Sequence, residues 1–133
     1  MIFAMSAWAI EPAKEGISPR PMSITSATST PLPSTTSLPA EILRRMSPMS
    51  NSGGSWGSDG YLYLSGHDDP EIYVMALPEA GSDLDWLATV RLPGLNGQGI
   101  AWDRSIDDNI LWAILRSTRQ VLKIEMPVLP GLN

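Results

Sequence analysis

The sequence predicts an all-β fold for its C-terminal part, preceded by an N-terminal segment of different composition. Short alternating segments follow Asn51, separated by turns rich in Gly, Pro, Asp and Asn. Residues 61–78 align without a gap with residues 110–127, at an offset of 49 residues. In contrast, 16 of the 22 positions from Ser18 to Pro39 are Ser, Thr or Pro, which form no apolar face. We therefore expect a disordered or weakly structured tail over 1–51 and antiparallel sheets over 52–133.

Seven strands are predicted in the C-terminal part. In the first copy of the repeat, Tyr63 points away from Leu62 and Leu64, and Tyr73 and Met75 oppose their neighbours, so both faces of the sheet are apolar. Strands buried on both faces indicate sheets that stack against one another. The predicted strands cover residues 54–57, 60–65, 71–77, 84–92, 98–102, 109–115 and 120–126.

The last strand differs from the others because one of its faces carries charge. Leu122, Ile124 and Met126 alternate with Lys123 and Glu125. One face of this strand is therefore expected to meet water, and the strand itself is expected to form an edge of its sheet, where charges discourage pairing with another chain.

One short helix is predicted before the strands. Residues 40–46 allow two helical turns, in which Glu41 and Arg45 have the spacing of a helical ion pair. An isolated helix needs roughly 12 to 15 residues to persist in water, so a fluctuating turn is the alternative.

The length of the repeat favours propeller blades, which bury both faces only by stacking on neighbours. Trp56 precedes the turn Asp59-Gly60, and Trp102 precedes the turn Asp108-Asn109. Each tryptophan is expected to end the innermost strand of a blade and to pack towards the next blade.

Three stretches resemble four-stranded β-propeller blades of the bacterial quinoprotein-like and NHL-like kind. They are the residues Gly-Ser-Trp-Gly-Ser-Asp-Gly-Tyr-Leu-Tyr at 54–63, Gly-Gln-Gly-Ile-Ala-Trp-Asp at 97–103 and Asn-Ile-Leu-Trp at 109–112. The resemblance implies an incomplete β-propeller, with blade one over about 54–92 and an incomplete blade two over about 98–127. Closed propellers have roughly four to eight blades. A fragment of a larger protein, a protomer that completes a ring by association, and a sheet of another sort all remain open.

Composition excludes several functional classes. Residues 52–133 carry eleven Asp or Glu against five Lys or Arg, which argues against binding to a phosphate backbone and so against a nucleic-acid partner. The chain has no cysteine, which excludes disulfides and thiolate zinc sites. The apolar run at 1–10 is too short to span a bilayer, so no membrane partner is expected.

Polar chemistry is concentrated in three loops that blade topology places on one edge: 66–70, 93–98 and 116–119. The candidates for ligand binding in these loops are His67, Asp68, Asp69, Asn96, Gln98, Arg116 and Arg119.

Each of these groups also has a plainer interpretation. His67, Asp68 and Asp69 are adjacent, and three consecutive residues rarely reach one metal ion, so a solvated turn is expected and no metal is predicted. Arg116 and Arg119 are expected to pair with Asp68 or Asp69 across blades. No catalytic residue and no cofactor are predicted, because the sequence has no Gly-x-Ser-x-Gly elbow and its glycine-rich loop 94–99 precedes a strand where phosphate binding needs a helix.

Together these observations predict a binding or interaction module that belongs to a larger propeller and has no activity of its own. The expected partners are further blades, a second copy, or an unknown protein or small ligand. The alternatives are part of a propeller hydrolase or quinoprotein-type oxidoreductase whose active site is completed by other blades, and a self-associating scaffold.

Overall fold

A computed structural model describes residues 2–6, 9–12, 35–96, 99–105 and 109–132 of the chain. Nearly all of the regular structure in these residues is β-strand. The elements in chain order are β1 (Ile2–Ser6), β2 (Ala9–Pro12), α1 (Ala40–Met46), β3 (Gly53–Trp56), β4 (Leu62–Ser65), β5 (Glu71–Ala76), β6 (Asp85–Arg91), β7 (Ile100–Trp102), β8 (Ile110–Leu115) and β9 (Gln120–Glu125).

The strands form two sheets. The first sheet has the order β3-β4-β5-β6-β2, and the second has the order β7-β8-β9-β1. All neighbours pair antiparallel except β1 and β9, which are parallel. The predicted all-β class with antiparallel sheets is therefore confirmed, with the addition of one short helix.

The seven strands predicted from the sequence are all present, and each end lies within two residues of its predicted position. β5 begins at Glu71 and β9 begins at Gln120, so these two six-residue strands are 49 residues apart, as are the aligned stretches of sequence. β3 ends at Trp56 and β7 ends at Trp102, where the sequence placed the ends of the innermost strands.

The N-terminal part is more ordered than its composition predicts. The strands β1 and β2 and the helix α1 all lie within 1–51, so a disordered tail is not confirmed for these residues. Most of the Ser/Thr/Pro-rich stretch falls in 13–34, outside the described residues. The expectation that β9 forms an edge is wrong, because β1 pairs along it from Ile2 opposite Val121 to Ser6 opposite Glu125.

The main core lies between the two sheets. The first sheet contributes Tyr63, Ile72 and Val74, which are cross-strand neighbours on one face. The second sheet contributes Leu122 and Ile124 from β9, with Leu111 and Ala113 of the adjacent strand β8. Period-two alternation explains the selection, because residues at every second position of each strand face the other sheet.

A second, smaller core lies on the opposite face of the first sheet, under α1. Ile42 and Met46 are four residues apart, so they share one face of the helix, and both are buried against Tyr73 and Met75. The chain before the helix is held by Ser37, whose N–H donates to the Ser82 carbonyl at 2.7 Å. The predicted helix is therefore present, and its Glu41–Arg45 ion pair is formed at 3.8 Å.

Candidate functional site

The described residues of the three loops that the sequence selected lie at the same end of their sheets. The 66–70 loop joins β4 to β5, and the Leu92 N–H donates to the Pro70 carbonyl at 2.8 Å, which places the end of β6 beside this loop. In the second sheet, Ile100 is opposite Ala113, so β7 begins where β8 ends and the 116–119 loop starts.

The charged side chains of these loops do not form a common cluster. Asp68, Asp69, Asn96, Arg116 and Arg119 are exposed, whereas Gln98 lies outside the described residues. The contact between the candidate residues is local, from His67 Nδ1 to Asp68 Oδ1 at 2.6 Å. Within the described part of the chain no ion pair joins Arg116 or Arg119 to Asp68 or Asp69, so the expected pairing between the sheets is not present.

His67, Asp68 and Asp69 bring imidazole and carboxylate groups next to one another in the 66–70 loop. Among the described residues no three His, Asp or Glu side chains are grouped so that they could hold one ion. Asp69 instead uses its carbonyl oxygen to accept the Glu71 N–H at 2.8 Å, which closes the turn at the start of β5. The structure therefore gives this loop a turn geometry.

A buried carboxylate that the sequence analysis did not single out lies just beneath this edge. Glu71 is 6% exposed and is the register partner of Arg91, whose guanidinium lies 3.3 Å from Glu71 Oε1. Tyr73 donates its hydroxyl hydrogen to Glu71 Oε2 at 2.8 Å. Burial, followed by this hydrogen bond to an anion, raises the pKa of Tyr73 well above its ordinary value, so the phenol stays protonated.

This carboxylate also connects the helix to the sheet. Arg45 of α1 lies 3.6 Å from Glu71 Oε2 and stacks over the Trp86 ring at 5.1 Å. On the other side, Arg91 reaches Glu11 of β2 at 3.1 Å. The cluster therefore ties α1, β5, β6 and β2 together. Because its cations already face carboxylates, we interpret it as a structural tether.

The opposite end of the molecule carries aromatic side chains at the seam between the sheets. Trp102 meets Tyr63 edge to face, with ring centroids 4.8 Å apart, and its backbone N–H donates to Ser55 Oγ at 3.0 Å. The Trp56 carbonyl accepts a hydrogen bond from the Arg104 guanidinium at 3.0 Å. These contacts join β3 to β7 and the turn after it, so the aromatic residues fasten one sheet to the other.

Two acidic turns hold aromatic side chains at this end. Asp59 accepts the Tyr61 N–H and, at 2.5 Å, the Tyr63 hydroxyl. Burial, together with this hydrogen bond, raises the pKa of Tyr63 far above its ordinary value. A phenol held neutral in this way does not act as a general acid or base near neutral pH, so the pair has a structural role.

In the second sheet the corresponding anchor is Asp103. Its carboxylate accepts the Ser105 hydroxyl at 2.6 Å and the Trp112 Nε1–H at 2.9 Å. The hydrogen bonds from Ser105 and from Trp112 lower the pKa of Asp103, with a smaller contribution from the charge of Lys123. Trp102 Nε1 is the exception here, since it is buried and has no acceptor among the described residues.

A different feature of the second sheet is its outer side, which has no layer packed on it among the described residues. We name this the open face, and its side chains are cross-strand neighbours by register. Ile114 and Val121 are opposite each other and are 49% and 45% exposed. The remaining members of the open face by register are Ile110, which is 6% exposed, and Ala101, Trp112, Lys123 and Glu125.

The open face corresponds, at the 49-residue offset, to the side of the first sheet that the second sheet covers. Ser65 and Ile72 occupy the positions equivalent to Ile114 and Val121, and both are fully buried. The first sheet thus has a layer on each side, the second sheet on one and α1 on the other. In the part of the chain that the structure describes, the second sheet has a layer on one side only, and the open face is a more defined candidate surface than the loop edge.

The open face could be found from the sequence only in part. The alternation of Lys123 and Glu125 with apolar residues did indicate a face of β9 in contact with water, and the structure places both residues there. The Glu71 cluster was missed. The signal for it was a glutamate at the head of a strand buried on both faces, a position where an acid needs a partner.

No helix among the described residues is long and apolar enough to cross a lipid bilayer. No protein-family model matches the chain. No curated protein matches it, and no solved structure does.

Proposed function

We propose that this chain is an interaction module, made of two β-propeller blades, that binds another protein through the open face of its second sheet. The observation that carries the proposal is the difference in exposure between equivalent positions. Ile72 is fully buried by the neighbouring sheet, and its counterpart Val121 is 45% exposed. A sheet side that is apolar at two adjacent positions and lacks a covering layer is suited to receive a further sheet.

Three observations support the propeller arrangement. Both sheets use consecutive antiparallel strands, β3 to β6 and β7 to β9. The strands β5 and β9 start 49 residues apart. The first strands of the two sheets, β3 and β7, are in contact through Ser55 and Trp102, as neighbouring innermost strands of a propeller would be. Since closed propellers use roughly four to eight blades, two blades leave a ring open, and further blades are the natural occupant of the open face.

A small-ligand site on the loop edge is a weaker interpretation. His67, Arg116 and Arg119 share an end of the molecule, but their side chains make no contact with one another in the described residues. A ligand there would have to bring these side chains together, and ordering them costs conformational entropy.

Photo-crosslinking on the intact chain tests the proposal. A photoreactive amino acid replaces Val121, and in a matched variant it replaces Val128, which is 61% exposed and lies beyond the end of β9. In extracts of the source cells we expect one dominant adduct at position 121 and none at position 128.

The mass of the adduct identifies the class of partner. A protein encoded beside this chain and carrying more copies of the 49-residue unit would identify further blades. An adduct of twice 14.4 kDa would identify a second copy. Equal labelling at both positions, or none at position 121, would contradict an interaction through the open face.

A further inference from the structure

The side of the first sheet that lies under α1 is equivalent to the side of the second sheet that packs against the first sheet. At the 49-residue offset, Tyr73 and Met75 correspond to Leu122 and Ile124. Leu122 and Ile124 are the residues that the second sheet packs against the first. The molecule therefore shows how two such sheets pack. The side of the first sheet that corresponds to the open face contacts the side of the second sheet that bears Leu122 and Ile124.

We propose that α1 is a removable cap, and that the surface beneath it binds the open face of a second copy of this chain, head to tail. The inference rests on the proposed role of the open face and adds a partner and a means of control. With α1 docked, the surface carrying Leu64, Tyr73 and Met75 is covered by Ile42 and Met46, so a second copy has no access to it.

The surface beneath α1 carries Glu71, and the open face carries Lys123 together with Glu125. Glu71 lies on the same side of β5 as Tyr73, which donates a hydrogen bond to it, so it belongs to the surface beneath α1. Removal of α1 takes Arg45 away from Glu71 and leaves Arg91 as its cationic partner. The open face brings Lys123, a half-buried cation at a position where the first sheet has Val74. Glu71, which loses its contact with Arg45, therefore meets a surface that carries the cation Lys123.

The attachment of α1 rests on few side chains: the buried Ile42 and Met46, and Arg45, which contacts Glu71 and Trp86. The helix has seven residues, too few to persist alone in water, and Pro39 at its N-cap position provides no side-chain hydrogen bond. Two side chains, Ile42 and Met46, are buried in the sheet. The helix is therefore ordered by docking, and loss of a few contacts releases it.

A head-to-tail contact joins two different surfaces, so it leaves one of each type free at the ends of a dimer. Further copies can add until a ring closes. Because each released copy contributes two sheets, discrete closed assemblies are expected, with masses at whole multiples of 14.4 kDa.

The test compares variants of the full chain by size exclusion with light scattering at several concentrations. Ile42→Ser removes a fully buried anchor of α1, and Leu43→Ser makes the same chemical change at a neighbouring position that is 53% exposed. We expect the Leu43→Ser variant to behave as the parent chain does and the Ile42→Ser variant to form discrete larger species. Adding Val121→Asp on the open face should abolish those species, whereas adding Val128→Asp should leave them.

A monomeric Ile42→Ser variant that still unfolds cooperatively would overturn the proposal. An assembly that Val121→Asp does not reduce would also overturn the proposal. After that result, crosslinking at position 121 of the parent chain would still test the role of the open face separately. If Ile42→Ser prevents folding, the pair Arg45→Ala and Arg44→Ala replaces it. Arg45 contacts Glu71 and Trp86, and Arg44 is 75% exposed and contacts Glu41. Faster amide exchange over 40–46 together with larger species is expected for Arg45→Ala alone, and faster exchange without association would refute the cap.

Discussion

Replacing Glu71 by Gln should weaken the fold by an amount set by the three groups around its carboxylate. The change keeps the shape of the side chain and removes its charge. The Tyr73 hydroxyl at 2.8 Å keeps a neutral acceptor in place of an anion. Arg91 at 3.3 Å and Arg45 at 3.6 Å lose their attraction to a carboxylate that is 6% exposed.

The size of the effect follows from the exposure of the partners. Hydrogen bonds to charged groups contribute about 1.5–3 kcal/mol, and their neutral counterparts about 1 kcal/mol, so the Tyr73 contact loses about 1 kcal/mol. The side chains of Arg45 and Arg91 are 30% and 48% exposed, so water replaces part of what they lose. At such exposure each contributes at most about 1 kcal/mol, and we expect a loss of about 1.5–3 kcal/mol in total.

Urea denaturation followed by tryptophan fluorescence measures this loss as a shift in the midpoint at constant slope. Glu79→Gln is the matched control, because Glu79 is exposed and the same substitution there should change stability by less than about 0.5 kcal/mol. Equal stabilities for the two variants would refute the role given to the Glu71 cluster. The part of the loss that comes from the buried Tyr73 contact should persist at high salt, since buried contacts are screened far less than exposed ones.

Three further predictions concern single side chains. Because the pKa of Tyr63 is raised in the folded state, its contribution to stability is complete below the ordinary pKa near 10 and is lost above it, by about 1.4 kcal/mol per pH unit. Tyr63→Phe should flatten the alkaline decline of stability, and an unchanged slope would contradict the burial of this phenol. Arg119 has φ of 55°, in the left-handed region, so Arg119→Gly should raise the free energy of unfolding by about 0.5–1 kcal/mol, whereas Arg116→Gly should not. Ser105→Ala should raise the depressed pKa of Asp103, and should raise it more than Trp112→Phe does, in a carbon-detected NMR titration. The reverse order would show that the indole of Trp112 is the stronger donor.

The strands could be predicted from the sequence because their signals are local. Alternation places Tyr63 and Leu64 on opposite faces of one strand without knowledge of the rest of the chain, and turn residues such as Asp59 and Gly60 mark where strands begin. Gly60, at φ of 84°, has a conformation that few other residues adopt, so the turn after β3 was recognisable from its composition.

The layers on the sheets could not be predicted in the same way, because they depend on contacts between distant segments. β1 pairs with β9 across more than a hundred residues of chain, and α1 packs on β5 through Ile42. The apolar residues on both faces of the predicted strands indicated that each face of the first sheet packs against another layer, but they did not identify the segments that form those layers. A Ser/Thr/Pro-rich composition between these elements made a tail the simpler interpretation, although β1 and the buried face of α1 are apolar.

The elements that pack on the two sheets explain why the outer face of the second sheet differs from the outer face of the first. Two stacked sheets have two outer edges and two outer faces, and each is a site where backbone groups or apolar side chains lack partners. In this chain β2 and β1 pair along β6 and β9 and are themselves the outer edge strands. One outer face is covered by α1, and the other carries Ile114 and Val121 at about half exposure. The N-terminal elements therefore cover one outer face and extend both sheets at their outer edges, whereas no described residue forms a layer on the open face. A partner that covers Ile114 and Val121 would bury apolar surface there, and Lys123 keeps a charged group on this face for water to solvate.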